Sequence, residues 1–187
     1  MRGFGIVALA FVLAGWGTSA RANLVNDPGF ESCMRSPPPG WTVTSTADID
    51  CNGPPHSGAV GAQFVGGPAT LSQSIATTAG DNYDVSFWFE DAASNGRTFT
   101  ASFGGDEVFD HTSSGALVDY TLEDFTVTAS GTSTIISFTR GPTSGGGFDV
   151  DDVSVTDDGP AISAPEPGSL LLLGSGMFGL RLIRRRT

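Results

Sequence analysis

The chain of 187 residues contains no lysine, and most of its nine arginines lie close to its two ends. Between residues 23 and 164 only Arg35, Arg97 and Arg140 remain against 19 acidic residues, so this stretch has a formal net charge of −16. Binding to a nucleic-acid backbone requires clustered lysine or arginine. The composition therefore predicts no nucleic-acid partner, whereas an acidic surface of this kind attracts divalent cations.

Histidines and recognisable catalytic motifs are also scarce. His56 and His111 stand apart in polar turns without the spacing of metal ligands, and the chain has no GxSxG elbow. Acidic residues are so abundant that no pair of them marks a glycosidase site, and we interpret residues 149–152 as solvated strand-end acids. The sequence predicts no catalytic residues and a protein that is not an enzyme.

Residues 1–22 have the pattern of a secretory signal peptide. Arg2 is followed by an uncharged, mostly apolar stretch at 4–16, and residues 20–22 (Ala-Arg-Ala) fit the small-x-small cleavage site. The stretch is too short to span a bilayer comfortably, which argues against an N-terminal anchor. We expect export through the secretion translocon and cleavage by signal peptidase after Ala22.

The other end of the chain has three parts: a Pro-Glu-Pro motif, an uncharged stretch at 168–180 with four successive leucines, and a basic cluster. A helix over 168–183 would be about 24 Å long, short of the hydrocarbon core of about 30 Å. The pattern predicts one marginal transmembrane helix with its arginines on the cytoplasmic side. The motif is Pro165, Glu166 and Pro167, and the cluster is Arg184, Arg185 and Arg186.

This three-part tail closely resembles the PEP-CTERM sorting signal, also known as the ice-binding-protein C-terminal domain. The resemblance implies recognition by an exosortase, an integral-membrane enzyme of Gram-negative bacteria that would cut near Pro165-Glu166-Pro167. The protein would pass through an inner-membrane intermediate to the cell surface or the medium, in association with exopolysaccharide and biofilm. A plain stop-transfer anchor is the alternative.

Removal of both ends leaves a stretch of the size of one domain. We expect four parts: a signal peptide at 1–22, a β-sandwich domain at 23–158, a linker at 159–164 and the sorting signal at 165–187.

Strand signals recur between the two ends, and helical periodicity is nearly absent there. Segments rich in Val, Ile, Thr and aromatics alternate with clusters of Gly, Asn, Asp and Pro. This pattern is typical of a β-sandwich or jelly roll. The nine predicted strands are 41–45, 59–65, 70–76, 82–90, 98–103, 107–111, 120–128, 132–140 and 148–156.

The order of short motifs resembles the galactose-binding-like jelly roll shared by many carbohydrate-binding modules. The motifs are an opening Gly29-Phe30-Glu31, a later Trp41, and a closing Phe-Asp-Val-Asp-Asp-Val run at 148–153. The resemblance implies an all-β fold and a structural Ca²⁺ between the first and last strands, at positions matching Glu31 and Asp151. Calcium prefers such hard oxygen ligands. The alternative is that both are ordinary strand-end acids.

Cys33 and Cys51 are the two cysteines of the chain. Export places them in an oxidising compartment, where a disulfide is the expected state. The bond would close a loop of about 19 residues and stabilise the fold by about 3 kcal/mol.

Trp88 lies on the polar face of its predicted strand, opposite Phe87 and Phe89. An exposed Trp88 beside Glu90 could stack on a sugar ring while the carboxylate accepts hydrogen bonds from hydroxyls. The alternative is that Trp88 packs under a loop, because large aromatics are mostly buried. Trp41 is expected in the core.

These observations favour a noncatalytic exported protein whose β-sandwich binds carbohydrate or exopolysaccharide. The alternatives are a structural surface or biofilm-matrix protein without a specific ligand, and a glycan-acting hydrolase.

Overall fold

The computed structural model describes residues 21–33, 37–44, 49–143 and 145–161. The regular secondary structure of these residues consists of β-strands. Within them, no helix has the length and apolarity that a membrane crossing needs. Residues 1–20 of the predicted signal peptide, the Pro-Glu-Pro motif, the predicted transmembrane helix and the basic cluster lie outside the described residues, so those predictions are not tested by the structure.

The strands form two antiparallel sheets that pack face to face. Sheet A has the order β1-β4-β9-β6-β7 and sheet B the order β2-β3-β10-β5-β8. The non-consecutive neighbours are typical of a jelly roll, and the expected all-β sandwich is confirmed. The strands are β1 Thr42–Val43, β2 Ile49–Gly53, β3 Gly61–Phe64, β4 Ala69–Ala76, β5 Asp81–Ala93, β6 Thr98–Phe103, β7 Asp106–Thr112, β8 Val118–Thr128, β9 Ser133–Arg140 and β10 Gly146–Pro160.

Alternating apolar residues build the core between the sheets. On β5 the predicted inward face is buried throughout, and β6 behaves in the same way. Phe87 of sheet B contacts Phe138 of sheet A with 5.0 Å between ring centroids, and Phe89 lies 5.1 Å from Phe99. Each such aromatic side chain stabilises the fold by about 1.5–3 kcal/mol through burial. Trp41 is 5% exposed, as expected of a core residue.

The segment before β1 is fastened to both sheets. Leu24 N–H donates to the carbonyl of Val155 on β10 of sheet B (2.9 Å), and Asn26 N–H donates to Gln73 Oε1 on β4 of sheet A (2.7 Å). The predicted Cys33–Cys51 disulfide is present, with 5.9 Å between the Cα atoms, and joins this segment to β2.

Strand β10 lies at the centre of sheet B and carries two irregularities in its pairing with β5. The first follows Asp151, and the next residue, Asp152, has a left-handed φ of 48°. The bulge keeps Val150, Val153 and Val155 on the buried face. The strand continues to Pro160, two residues into the predicted linker.

Candidate functional site

The outer face of sheet B collects the polar side chains of β5 and β10. The register pairs Asp149 with Glu90 and Asp151 with Trp88. On its other side Asp149 pairs with Gln63 of β3. Because side chains of directly opposed residues share a face, Trp88 and Glu90 lie beside two aspartates of β10.

Tyr120 closes over this face from the edge strand β8. Its hydroxyl donates to the carbonyl of Pro54, just after β2 at the opposite edge, at 2.6 Å. A Cβ atom at Gly61 on β3 would lie 3.3 Å from the same hydroxyl. In a flat sheet β8 and β3 would be three strand spacings apart, about 14 Å, which is farther than a tyrosine side chain reaches. The outer face of sheet B is therefore concave.

Residues 54–60, here called the strap, connect β2 to β3 and lie across the concave face. The backbone N–H groups of His56 and Ser57 both donate to Asp151 Oδ2, at 2.9 and 3.0 Å. The Ser57 hydroxyl donates to Asp152 Oδ1 (2.8 Å), and His56 Nδ1 lies 2.8 Å from Asp152 Oδ2. Two successive carboxylates of β10 thus fix the centre of the strap.

A third carboxylate fixes the end of the strap. Glu31 Oε1 accepts the backbone N–H of Ala59 at 2.7 Å and that of Val60 at 3.4 Å. Glu31 therefore links the N-terminal segment to the strap. The Cys33–Cys51 disulfide joins the same segment to β2.

His56 stacks on Trp88, with 3.7 Å between ring centroids and 12° between ring planes. It also meets Tyr120 edge-on at 5.5 Å. Trp88 is consequently half-buried. One face of its ring packs under the strap, as the alternative prediction of packing under a loop proposed. The interpretation of the two histidines as isolated was wrong. His56 belongs to this aromatic group, and His111 lies in β7, 2.8 Å from the buried Asp91 carboxylate.

Asp149 has the most constrained carboxyl group of the face. It is fully buried, and neither of its oxygens receives a hydrogen bond of good geometry. A Cβ atom at position 53 would lie 2.6 Å from Asp149 Oδ1, so Gly53 is needed for β2 to close over it. Burial raises the pKa of Asp149 to about 7, and repulsion from the Glu90 charge adds to the shift. The nearby Gln63 amide lowers the pKa by a smaller amount.

The prediction of solvated acids at 149–152 is therefore wrong for Asp149 and Asp151, both of which are fully buried. Those residues face outward from the core, but the strap and Tyr120 cover them. The pKa of Asp151 is also raised, chiefly by burial and to a lesser extent by the charge of Asp152. Hydrogen bonds from the backbone amides of Ser57, Asp152 and His56 act in the opposite direction.

The other two titratable groups around Asp149 are shifted in the same direction. Burial, followed by the charge of Asp119, raises the pKa of Glu90. Burial raises the pKa of Tyr120 far above neutral pH, and the charges of Asp149, Asp151, Glu90 and Asp152 add to the shift. The phenol of Tyr120 therefore remains a hydrogen-bond donor.

The residues predicted to hold calcium, Glu31 and Asp151, lie close together. A Cβ atom at Gly29 would lie within 4 Å of both side chains and of Asp152. Their oxygens suit calcium chemically, but they accept hydrogen bonds from strap amides. Among the described residues, no three side chains of His, Cys, Asp or Glu are arranged to hold a metal ion. Backbone carbonyls would have to complete the site, and calcium stays a prediction.

A cavity of about 370 Å³ opens elsewhere, on the outer face of sheet A. Its lining contains no charged or aromatic side chain, and its hydroxyls pair with one another, as Ser102 and Ser137 do at 2.7 Å. We therefore place the candidate site on sheet B, where charged and aromatic groups converge. The cavity lining is Ser102, Gly104, Gly105, Ser130, Ser133, Thr134, Ile135 and Ser137.

Comparison with known families identifies the tail. Residues 163–186 match the family model of the PEP-CTERM protein-sorting motif. The chain carries a PEP-CTERM sorting motif. The motif implies export, sorting to the cell surface and processing by an exosortase. No curated protein is significantly similar to the chain in sequence.

Several solved structures with a similar fold are carbohydrate-binding modules. A family 61 module in complex with β-1,4-galactotriose has a TM-score of 0.57 and 22% identity, covering 73% of this chain and 99% of that one. A family 4 module has a TM-score of 0.51 and 18% identity, covering 71% and 99%. These likenesses confirm the jelly-roll fold.

Other similar structures include an adhesin domain and an enzyme. The cleaved adhesin domain K3 of Lys-gingipain from Porphyromonas gingivalis has a TM-score of 0.56 and 12% identity, covering 73% of this chain and 99% of that one. An arabinose-bound α-L-arabinofuranosidase has a TM-score of 0.54 and 14% identity, and only 26% of its chain is covered. The fold alone therefore does not decide between binding and catalysis.

Of the predicted site residues, the structure brings Trp88, Glu90 and Asp151 onto one face, with Glu31 at the end of the strap. Sequence reasoning missed His56 and Tyr120 as site residues. Tyr120 alternates with the inward side chains of β8, which is the one signal that could have placed it on this face.

Proposed function

We propose that this protein is exported, processed by an exosortase at its PEP-CTERM tail, and binds carbohydrate noncatalytically through the concave face of sheet B. After the inner-membrane intermediate, it would act at the cell surface or in the medium as part of an exopolysaccharide matrix. The sorting motif in the tail supports the proposed location, and the aromatic and acidic side chains of the concave face support ligand binding.

The juxtaposition of Trp88 and Tyr120 with Glu90 supports carbohydrate binding. Sugars present apolar C–H faces that aromatic rings cover, and hydroxyl groups that carboxylates and a phenol can pair with. Leu122 pairs with Trp88 on this face and is 53% exposed, which extends its apolar part. A concave surface with a few convergent polar groups is the usual form of a small-ligand site.

Binding of the purified full-length protein to a glycan array and to immobilised exopolysaccharide tests this function. We expect Trp88→Ala to weaken binding by about tenfold or more, because aromatic contacts of this kind contribute strongly at the centre of a site. Ile135→Ala is the matched control, since Ile135 is also 53% exposed but lies on sheet A. The absence of binding to every glycan would favour a purely structural surface protein.

A second candidate function is glycan hydrolysis, which one observation favours: Asp149 and Glu90 are direct cross-strand neighbours with raised pKa values. Glycosidases use two carboxyl groups, one of them kept protonated by its surroundings. Release of reducing sugar from a bound glycan, abolished by Asp149→Asn, would establish this function. Binding without release supports the noncatalytic one.

The sorting part is tested in the native host. We expect the mature protein to lack Arg184 to Arg186 when exosortase is present and to retain them when the exosortase gene is deleted. An intact C-terminus in both strains would identify a plain membrane anchor.

A further inference from the structure

The Asp149–Glu90 pair lacks the partners that buried carboxyl groups normally have. Both oxygens of Asp149 are shielded from solvent, and apart from the nearby Gln63 amide, which lowers the pKa of Asp149, no donor of good geometry reaches them. Burying an under-paired polar group is costly. Glu90 lies directly opposite on β5 and is half-buried. The pair therefore has spare acceptor capacity on the outer face of sheet B, beneath the strap and Tyr120.

The charges that shift the pKa values of Asp149, Glu90 and Tyr120 are all acidic. Asp149 is perturbed by Glu90, and Tyr120 is perturbed by four carboxylates of the same face. The three guanidinium groups of the described residues lie elsewhere. Arg21 pairs with Asp158, Arg97 lies beside Gly145, and Arg140 is buried and donates to the carbonyl of Phe64.

Aromatic rings form the remaining wall. Trp88, stacked with His56, is the neighbour of Asp151 on the same face, and Tyr120 reaches over from β8. The faces of Trp and Tyr rings attract cations as well as C–H groups. A group that complements these side chains is positively charged, carries several hydrogen-bond donors and is attached to a ring with apolar faces.

We propose that Asp149 and Glu90 form a subsite for an ammonium group, and that the glycan bound by this protein contains amino sugars with free amines. The proposal rests on the proposed carbohydrate-binding function and names its ligand class. An ammonium group has three donors, which match the unpaired carboxylate oxygens. Uronic-acid and sulfated glycans would be repelled by the same face.

The test compares a β-1,4-linked glucosamine trimer with its fully N-acetylated counterpart, which is uncharged. Calorimetric titration of the full-length protein in mild detergent at pH 7 should show the amine form binding about tenfold tighter, as charge-assisted hydrogen bonds predict. Asp149→Asn should reduce this preference to about twofold or less. Glu90→Gln is the second variant, in case the first does not fold.

Asp110→Asn is the matched control, because it removes the same charge from an exposed position on β7 of sheet A. It should retain the full preference for the amine trimer. Binding of the amine form should also release protons from Asp149, which titration in two buffers of different ionisation enthalpy would detect. A merely structural carboxyl group would not produce this release.

Three results would overturn the proposal: equal affinity for the two trimers, a preference that survives in both Asp149→Asn and Glu90→Gln, or equal binding of a lysine-rich peptide. Binding of neutral galacto-oligosaccharides without an amine preference would leave the proposed function intact. Failure to bind any glycan would overturn both.

Discussion

Replacement of Asp149 by asparagine should stabilise the protein, and more so at alkaline pH. Burial raises the pKa of Asp149 from 3.8 to about 7, so the folded state holds this proton more tightly than the unfolded state. The unfavourable contribution is absent below about pH 4, grows as the pH rises, and is complete above the folded pKa near 7. Asparagine has the same shape and carries no charge at any of these pH values.

The magnitude follows from the two pKa values. At about 1.36 kcal/mol per pKa unit, the full contribution is about 4 kcal/mol at alkaline pH. Between pH 5 and pH 8 the advantage of Asp149→Asn over the wild type should grow by about 2.5 kcal/mol. The buried amide has its own cost, about 1–3 kcal/mol, but this cost is the same at both pH values.

Urea unfolding followed by tryptophan fluorescence, at pH 5 and pH 8, measures this double difference. Asp106→Asn is the control, because Asp106 is an exposed carboxylate at the start of β7. Its effect on the free energy of unfolding should be nearly the same at pH 5 and pH 8. The reasoning is refuted if the free-energy difference between Asp149→Asn and the wild type is the same at the two pH values.

Three other perturbations have defined outcomes. Reduction, or substitution of both Cys33 and Cys51 by serine, should lower the free energy of unfolding by about 3 kcal/mol, measured by urea titration, and an unchanged midpoint would contradict this. If calcium binds, its addition should raise the melting temperature in the wild type and not in Glu31→Ala, and chelator should reverse the rise; no response in the wild type would remove the calcium prediction. Tyr120→Phe should cost about 1 kcal/mol and increase hydrogen exchange in the strap, because the bond to Pro54 is lost; unchanged exchange would show that the strap does not depend on it.

The periodicity of the sequence located nearly all of the strands because the buried face of each carries aromatic or branched residues. Each of the nine predicted strands overlaps an observed one. The strand that escaped prediction is β2, Ile49–Gly53, in which Asp, Asn and Gly interrupt the hydrophobic pattern. The disulfide at Cys51 and pairing with β3 hold it in place, and neither is a local property of those five residues.

The candidate site was only partly predictable for the same reason. Alternation on β5 placed Trp88 and Glu90 outward, and the Asp-Asp-Val motif marked Asp151. The burial of Asp149 depends on the concave shape of sheet B and on the strap. Both features depend on contacts between residues that are far apart in the sequence, such as the hydrogen bond from His56 to Asp151. An acidic run in a sequence is normally solvated, so no local signal distinguished these acids from the many exposed ones.

Strand β10 also acts as a spacer. The site residues Asp149 and Asp151 lie in its first half, whereas the polypeptide leaves sheet B at Pro160 and the sorting motif begins three residues later. The ten residue-to-residue steps from Val150 to Pro160 span about 33 Å, shortened to about 30 Å by the two irregularities. The end of the strand therefore lies about 30 Å from the site residues, a distance similar to the thickness of a membrane's hydrocarbon core. The site residues and the C-terminal end of sheet B are thus separated by one continuous hydrogen-bonded strand and by no loop.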